Sequence, residues 1–220
     1  MGVSVIAMDG PAASGKSTIA SHLAKRLSIP YVNTGSMFRA VAYFLNQRGI
    51  NAADTEAIKA VLAEISMDYK LDENGEYSLY LNDRKLDAEL RTPEVVAIVS
   101  LVATVKEVRD LLKNFQREIA SSQLVVMEGR DIGSVVFPDA NWKFFVTASP
   151  MVRAERRLKQ DGTPYTQEAL QKVADSIAER DRLDSERPIA PLKQCEDAVL
   201  VDTSNMTIDE TVDFIAAYIK

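Results

Sequence analysis

Nine consecutive residues carry the strongest chemical signal in the chain: Gly10-Pro11-Ala12-Ala13-Ser14-Gly15-Lys16-Ser17-Thr18, a Gly-Xaa4-Gly-Lys-Ser/Thr run placed directly after the apolar stretch Val3 to Met8. Glycines at the two fixed positions let a loop curl with its backbone N–H groups pointing inward, and the helix that follows aims its positive end at the same point. A loop of this kind cradles a polyphosphate. Lys16 reaches the β- and γ-phosphates in such a cradle, and Ser17 offers its hydroxyl to Mg²⁺.

Two more polar clusters follow apolar runs. Asn33-Thr34-Gly35 comes after Tyr31-Val32 and leads into a helix carrying Arg39, and Glu128-Gly129-Arg130-Asp131 comes after Leu124 to Met127. Ligands in open α/β sheets collect outside the carboxyl ends of the strands, where all three clusters fall. Arg130 and Asp131 are therefore either a local ion pair at a turn or part of a ligand site, and the convergence of three clusters favours the site. A helix over 166–186 has the stripe Leu170, Val173, Ile177, which continues in register as Arg180, Asp184 and Arg187. Charges on a core-facing stripe are costly unless they are paired or serve a ligand, so this end either lines a wet cleft or overhangs the core into solvent. Upstream, Arg153, Arg156 and Arg157 share one face of a helix starting near Pro150, followed by Asp161-Gly162-Thr163-Pro164. They read either as a basic solvated face or as part of a mobile lid that closes on phosphates and excludes water.

The elements that must position these groups alternate between strand and helix. Short runs rich in Val, Ile and Phe at 3–8, 124–127, 144–146 and 198–201 read as buried parallel strands. Helical spacing joins Ile19, Leu23 and Leu27; Ile58, Val61, Leu62 and Ile65; Val108, Leu111, Leu112 and Phe115; and Ile208, Val212, Ile215 and Ile219. The core is thus α/β. Between helices, Met67 to Leu71, the turn Asp72-Glu73-Asn74-Gly75, Tyr77 to Leu81, Asn82-Asp83-Arg84 and Lys85-Leu86-Asp87 predict a small antiparallel meander with an Asn-Gly turn.

Composition narrows the field. The 220 residues are 46% hydrophobic and 26% charged, as in an ordinary globular protein, and no apolar run approaches the roughly 18 residues of a membrane span. The formal charge of −6 argues against a general nucleic-acid surface. His22 and Cys195 are each the only residue of their type, which leaves no zinc set, Cys/His dyad or internal disulfide. With no secretory pattern at the start, a cytoplasmic monomer is expected.

Five segments together resemble the bacterial cytidylate kinase family, over essentially the whole chain: Asp9-Gly10-Pro11-Ala12; Asn33-Thr34-Gly35-Ser36-Met37-Phe38-Arg39; Leu90-Arg91-Thr92-Pro93-Glu94-Val95; Glu128 to Gly133; and Glu179-Arg180-Asp181 with Arg187-Pro188-Ile189-Ala190-Pro191. The resemblance implies a single three-layer P-loop NTPase domain over 1–220. A parallel central sheet is expected, with a monophosphate-binding lobe at about 36–100 holding the antiparallel insert and a helical lid at about 153–188. It implies ATP and Mg²⁺ as cofactors and CMP and dCMP as substrates. Arg39, Arg130 and Arg187 match positions that hold the CMP phosphate, Arg180 and Asp184 those that bind the ribose, and Thr34, Ser100, Arg109 and Asp131 the cytosine-reading and neighbouring positions. Lys16, Arg39, Arg130, Arg153, Arg157 and Arg187 are the catalytic candidates. Two positions depart from the usual pattern. Phe38 replaces the usual Tyr, so its ring is expected to pack rather than to hydrogen-bond. Glu128 stands where some members have Asp and is expected to orient its neighbours.

Other readings of the phosphate loop remain at this stage. One is another small-molecule P-loop kinase, acting on a different monophosphate or on a hydroxyl; a hydroxyl acceptor would want a base and would have less use for so many arginines. A guanine-reading switch would need an Asn-Lys-Xaa-Asp loop after a core strand, and that loop is missing.

Overall fold

The computed structural model describes residues 3–73 and 77–219, so the expected Asn74-Gly75 turn lies outside the described residues. The strands are β1 (Val3–Asp9), β2 (Tyr31–Asn33), β3 (Met67–Leu71), β4 (Tyr77–Leu81), β5 (Arg84–Lys85), β6 (Val125–Gly129), β7 (Ala140–Thr147) and β8 (Val199–Asp202). The helices are α1 (Lys16–Leu27), α2 (Thr34–Gln47), α3 (Thr55–Val61), α4 (Pro93–Val102), α5 (Lys106–Ile119), α6 (Pro150–Asp161), α7 (Gln167–Glu186) and α8 (Ile208–Ala216). They form two compact units, 1–31 with 124–220, and 32–123.

The first unit is built on a five-stranded sheet in the order β2-β6-β1-β7-β8, and the chain leaves the unit along β2. Strand β1 pairs in parallel with β6 on one side and β7 on the other. Val5, Ile6, Ala7 and Met8 are all but sealed from solvent. A strand covered on both faces reads as a continuous apolar run rather than an alternating one, which is why Val3 to Met8 looks as it does. Ile19 and Leu23 of α1 and Val212 and Ile215 of α8 close over it in one apolar cluster with Val126 and Phe144. The P-loop α/β arrangement follows: the phosphate loop leaves the carboxyl end of the central strand and opens into α1.

The second unit holds the antiparallel sheet β3-β4-β5 and helices α2 to α5. Met67 faces Leu81 and Leu71 faces Tyr77 in register. Asn82 (φ 47°) and Asp83 (φ 64°) both take the left-handed conformation, which lets a two-residue turn match the strand twist and favours Asn and Asp over bulkier residues. Helix α4 has no counterpart among the periodic stretches, because its apolar residues run on all sides. The 58–65 stretch ends as helix at Val61 and finishes in a 3₁₀ turn over Leu62–Glu64. The final helix stops at Ala216, short of Ile219.

Gly10 sets the tightest steric limit. Its φ is 150°, and a Cβ there would lie 2.0 Å from the Val146 carbonyl oxygen of β7. The clash is with backbone, which cannot turn aside. Gly10→Ala should cost about 3 kcal/mol or more, in the upper range of overpacking. That corresponds to roughly 6 to 12 °C in thermal midpoint for a chain of this size. An unchanged melting curve would show that β1 and β7 are not held this closely.

Candidate functional site

The phosphate loop begins where β1 ends, and its conformation is uncommon at two positions. Gly15 caps α1 at φ 91°, as its glycine allows, and Ala13 sits at φ 56°, a left-handed state costing an L-residue about 1 kcal/mol. Lys16 is buried and donates from Nζ to the Pro11 carbonyl at 2.6 Å and to Ser14 Oγ at 3.2 Å. Burial pushes its pKa from 10.5 down to about 7, with Arg130 and Arg180 adding repulsion and Glu128 and Asp9 opposing it. The ammonium is therefore only partly compensated by the carboxylates near it.

The loop is also held from its outer side. The Ala12 N–H donates to Asp181 Oδ1 at 2.9 Å, and Arg153 donates to the Ala12 carbonyl at 3.1 Å and to Asp181 Oδ2. Arg156 reaches the Ser14 carbonyl at 3.2 Å and Thr203 at 2.8 Å. The three arginines grouped on one face by sequence thus diverge. Arg153 is buried on loop backbone, Arg156 ties the loop to Thr203, and Arg157, half-buried, pairs with Asp161 at 2.9 Å.

Strand β6 delivers the next cluster. Glu128 is buried and accepts from Ser17 Oγ at 2.6 Å and from the Tyr31 hydroxyl at 2.9 Å. Asp9, at the end of β1, accepts from the backbone N–H groups of Ile132 at 2.8 Å and Gly133 at 2.7 Å, fixing the turn that carries Arg130 and Asp131. Burial raises the Asp9 pKa from 3.8 to about 6, while the two backbone donors pull it down. Beyond this turn the chain winds through a π-helical segment, Ile132–Val136.

The stripe on α7 turns inward as its spacing predicts. Leu170 and Ile177 are buried with Ala12, Ala154 and Leu158, and Val173 packs at the edge of the same cluster. At the charged end, Arg130 donates to Asp184 Oδ2 at 2.8 Å, Arg187 lies 3.5 Å from the other Asp184 oxygen, and Arg187 also lies 3.5 Å from Asp131 Oδ1. Arg130, Asp131, Asp184 and Arg187 thus form one connected network, no side chain of which is more than 20% exposed. Arg180, also on α7, lies close enough to Lys16 to depress its pKa.

The remaining candidates belong to the second unit. Thr34 is the buried first residue of α2, Arg39 lies 3.5 Å from Ser36 Oγ, and Ser100 is half-buried on α4. Arg109 is buried on α5, donates to the Ala103 carbonyl at 2.8 Å and stands 5.4 Å from the centre of the Phe38 ring. The Phe38 ring therefore packs under a guanidinium.

The sequence profile of the family described as cytidylate kinase matches residues 6–220. A cytidylate kinase of Clostridium botulinum (strain Langeland) is 46% identical over 98% of this chain and 97% of its own length. Another, from Clostridioides difficile (strain 630), is 42% identical over the full length of both. The chain belongs to the cytidylate kinase family. Beyond the family, an uncharacterized protein of Eubacterium ventriosum shares the fold, with a TM-score of 0.54 at 14% identity over 98% of this chain and 97% of that one.

Within this cytidylate kinase family member, several site-supporting residues escape a reading by motif. Asp181 falls in a family-like segment but lies one position off the inward stripe and carries no role there, Tyr31 belongs to an apolar run, and Thr203 follows β8 with no motif around it. Their partners lie 169, 97 and 189 residues away, respectively, so no local pattern announces them.

The low pKa of Lys16 has a measurable consequence. A nucleotide polyphosphate favours the charged amine, so binding at a pH above about 7 must take up a proton. With the free amine held well below its ordinary range, proton uptake per nucleotide should be larger at pH 8 than at pH 6. Calorimetry of ADP binding in buffers of different ionisation enthalpy reads this directly. Equal heats across buffers at pH 8 would mean that Lys16 is already charged in the free protein.

Proposed function

We propose that this chain transfers the γ-phosphoryl group of ATP to the phosphate of CMP, and also of dCMP, giving the nucleoside diphosphate and ADP by in-line displacement. One observation carries the reading: Arg130 and Arg187 share Asp184, with Asp131 beside them, in the same unit as the phosphate loop. Two arginines held ready on carboxylates suit an anionic acceptor that also offers hydrogen-bond donors. The sugar hydroxyls and the cytosine amino group are such donors.

The acceptor needs no general base, since a phosphate with a second pKa near 6 is largely dianionic at pH 7. What remains is alignment and charge stabilisation. Lys16 and the inward N–H groups of Gly10 to Thr18 hold the donor polyphosphate. Arg39, Arg130 and Arg187 hold the acceptor phosphate, Arg180 and Asp184 the ribose, and Thr34, Ser100 and Arg109 lie at or beside the base. Asp131 accepts from the cytosine amino group, whereas uracil would present an acceptor to it and leave both groups unpaired. Ser17 Oγ within 2.6 Å of Glu128 Oε1 is a hard-oxygen pair suited to Mg²⁺. These two residues would hold the ion, which supplies charge neutralisation on the polyphosphate. Arg157, on the solvent side of α6, adds charge from a lid over about 153–188, and the acceptor lobe spans about 36–100 of a single kinase domain.

The setting is pyrimidine nucleotide metabolism in the cytoplasm, with the chain acting as a monomer. No helix among the described residues is long and apolar enough to cross a membrane.

Initial rates of ADP formation across CMP, dCMP, UMP, AMP and GMP test the base assignment. CMP and dCMP should exceed UMP at least tenfold in kcat/KM, and preference for UMP or AMP would overturn the role of Asp131 and Arg109. Arg130→Ala and Arg187→Ala should each lower kcat about 10³-fold or more at saturating substrates. Near-normal turnover would remove those arginines from the reaction.

A further inference from the structure

The outer side of the phosphate loop carries a second device, independent of the groups that face the substrates. Asp181 uses both carboxylate oxygens: Oδ1 takes the Ala12 N–H at 2.9 Å and Oδ2 takes Arg153, whose guanidinium also holds the Ala12 carbonyl at 3.1 Å. One residue of the loop, Ala12, is thus gripped at its N–H and at its carbonyl by a pair of oppositely charged side chains. Both are largely shielded, Arg153 at 10% and Asp181 at 18% exposure. Arg153 additionally donates to the Ala148 carbonyl at 3.1 Å, which anchors the pair to the chain just before α6. The Ala12 side chain is buried among Ala154 and Leu158 of α6 and Leu170 and Ile177 of α7.

The gripped residue adjoins the strained one. Ala13, at φ 56°, is a non-glycine residue in the left-handed region, a state that persists only where its surroundings over-determine it. Charge-assisted hydrogen bonds of this kind are about twice as strong as neutral ones, and here they are partly desolvated.

We propose that Asp181 and Arg153 are positioning residues for the phosphate loop: acting through Ala12, they hold the loop in the strained shape that points its N–H groups at the donor phosphates. Neither touches the nucleotide. Arg153 thereby leaves the set of groups placed on the transferring phosphoryl group and joins the set that shapes the cradle. The proposal rests on the reading of this loop as the ATP site.

The test separates donor from acceptor. Calorimetric ADP binding, and KM for ATP and for CMP, are measured for the wild-type chain, Asp181→Ala and Asp181→Asn, each after a melting curve. Asp181→Ala should weaken ADP about tenfold and raise KM for ATP in step, while KM for CMP stays within twofold. Asp181→Asn keeps an acceptor for the Ala12 N–H but loses the charged partner of Arg153, and should weaken ADP about threefold. If Asp181→Ala does not fold, the threefold loss in Asp181→Asn, without a matching change for CMP, decides the question. Nucleotide constants within twofold of wild type, or equal losses for ADP and CMP, would overturn the clamp. Failure of the wild-type chain to bind ADP would instead overturn the ATP-site reading itself.

Discussion

Ionisable groups withdrawn from water are what the rest of this structure has to accommodate. Lys16, Glu128, Asp131 and Asp9 are buried, and Arg130, Asp184 and Arg187 are nearly so. Removing an ion from water costs several kcal/mol even after relaxation, so such groups persist only where partners answer them or where a ligand is meant to. The fold answers the arginines with Asp131 and Asp184, and Glu128 with Ser17 and Tyr31. It leaves Lys16 with neutral partners, the Pro11 carbonyl and the Ser14 hydroxyl. That difference sets the division of labour. In the proposed reaction the arginine–carboxylate network would exchange one set of partners for the phosphate, hydroxyls and amino group of the acceptor, and Lys16 would gain its compensating charge from the donor polyphosphate.

Backbone geometry turns this electrostatic arrangement into a specific one. Strand β1 ends in Asp9, whose carboxylate fixes the start of the Ile132–Val136 segment, so the central strand sets both the phosphate loop and the turn bearing Arg130 and Asp131. The close approach of Gly10 to β7 sets where the loop departs. Helix α7 serves the loop and the charge network together, because Asp181 and Asp184 lie three residues apart near its end. Displacing that helix would therefore disturb the loop and the arginine network at once.

Much of the fold was legible because its signals are local. The phosphate loop is a fixed spacing, the strands of the central sheet are uninterrupted apolar runs, and the α7 stripe keeps its period of 3.6 from Leu170 to the charged residues beyond. What escaped depends on distant partners or on altered periodicity. Strand β7 begins at Ala140 rather than near Phe144 because Lys143, which breaks the apolar run, is buried with its ammonium on Asp197 at 2.6 Å. Helix α4 is apolar on every side and offers no stripe to detect. Arg153 looks like its neighbours Arg156 and Arg157 in sequence. Only the packing of α6 on α7, and the position of Asp181, separate a buried structural arginine from a solvent-facing one. The site was thus readable as a set of residue types, whereas the second layer that shapes the loop was not.

The most direct measurement follows the phosphorus. ATP labelled in its γ-phosphoryl group is incubated with the chain, Mg²⁺ and CMP, and the products are separated. Label is expected in the β-position of CDP, in step with ADP and with little in inorganic phosphate, if the charge network seats the acceptor phosphate as proposed. Label found only in inorganic phosphate, or ADP forming at the same rate without CMP, would contradict transfer to a cytidine monophosphate acceptor.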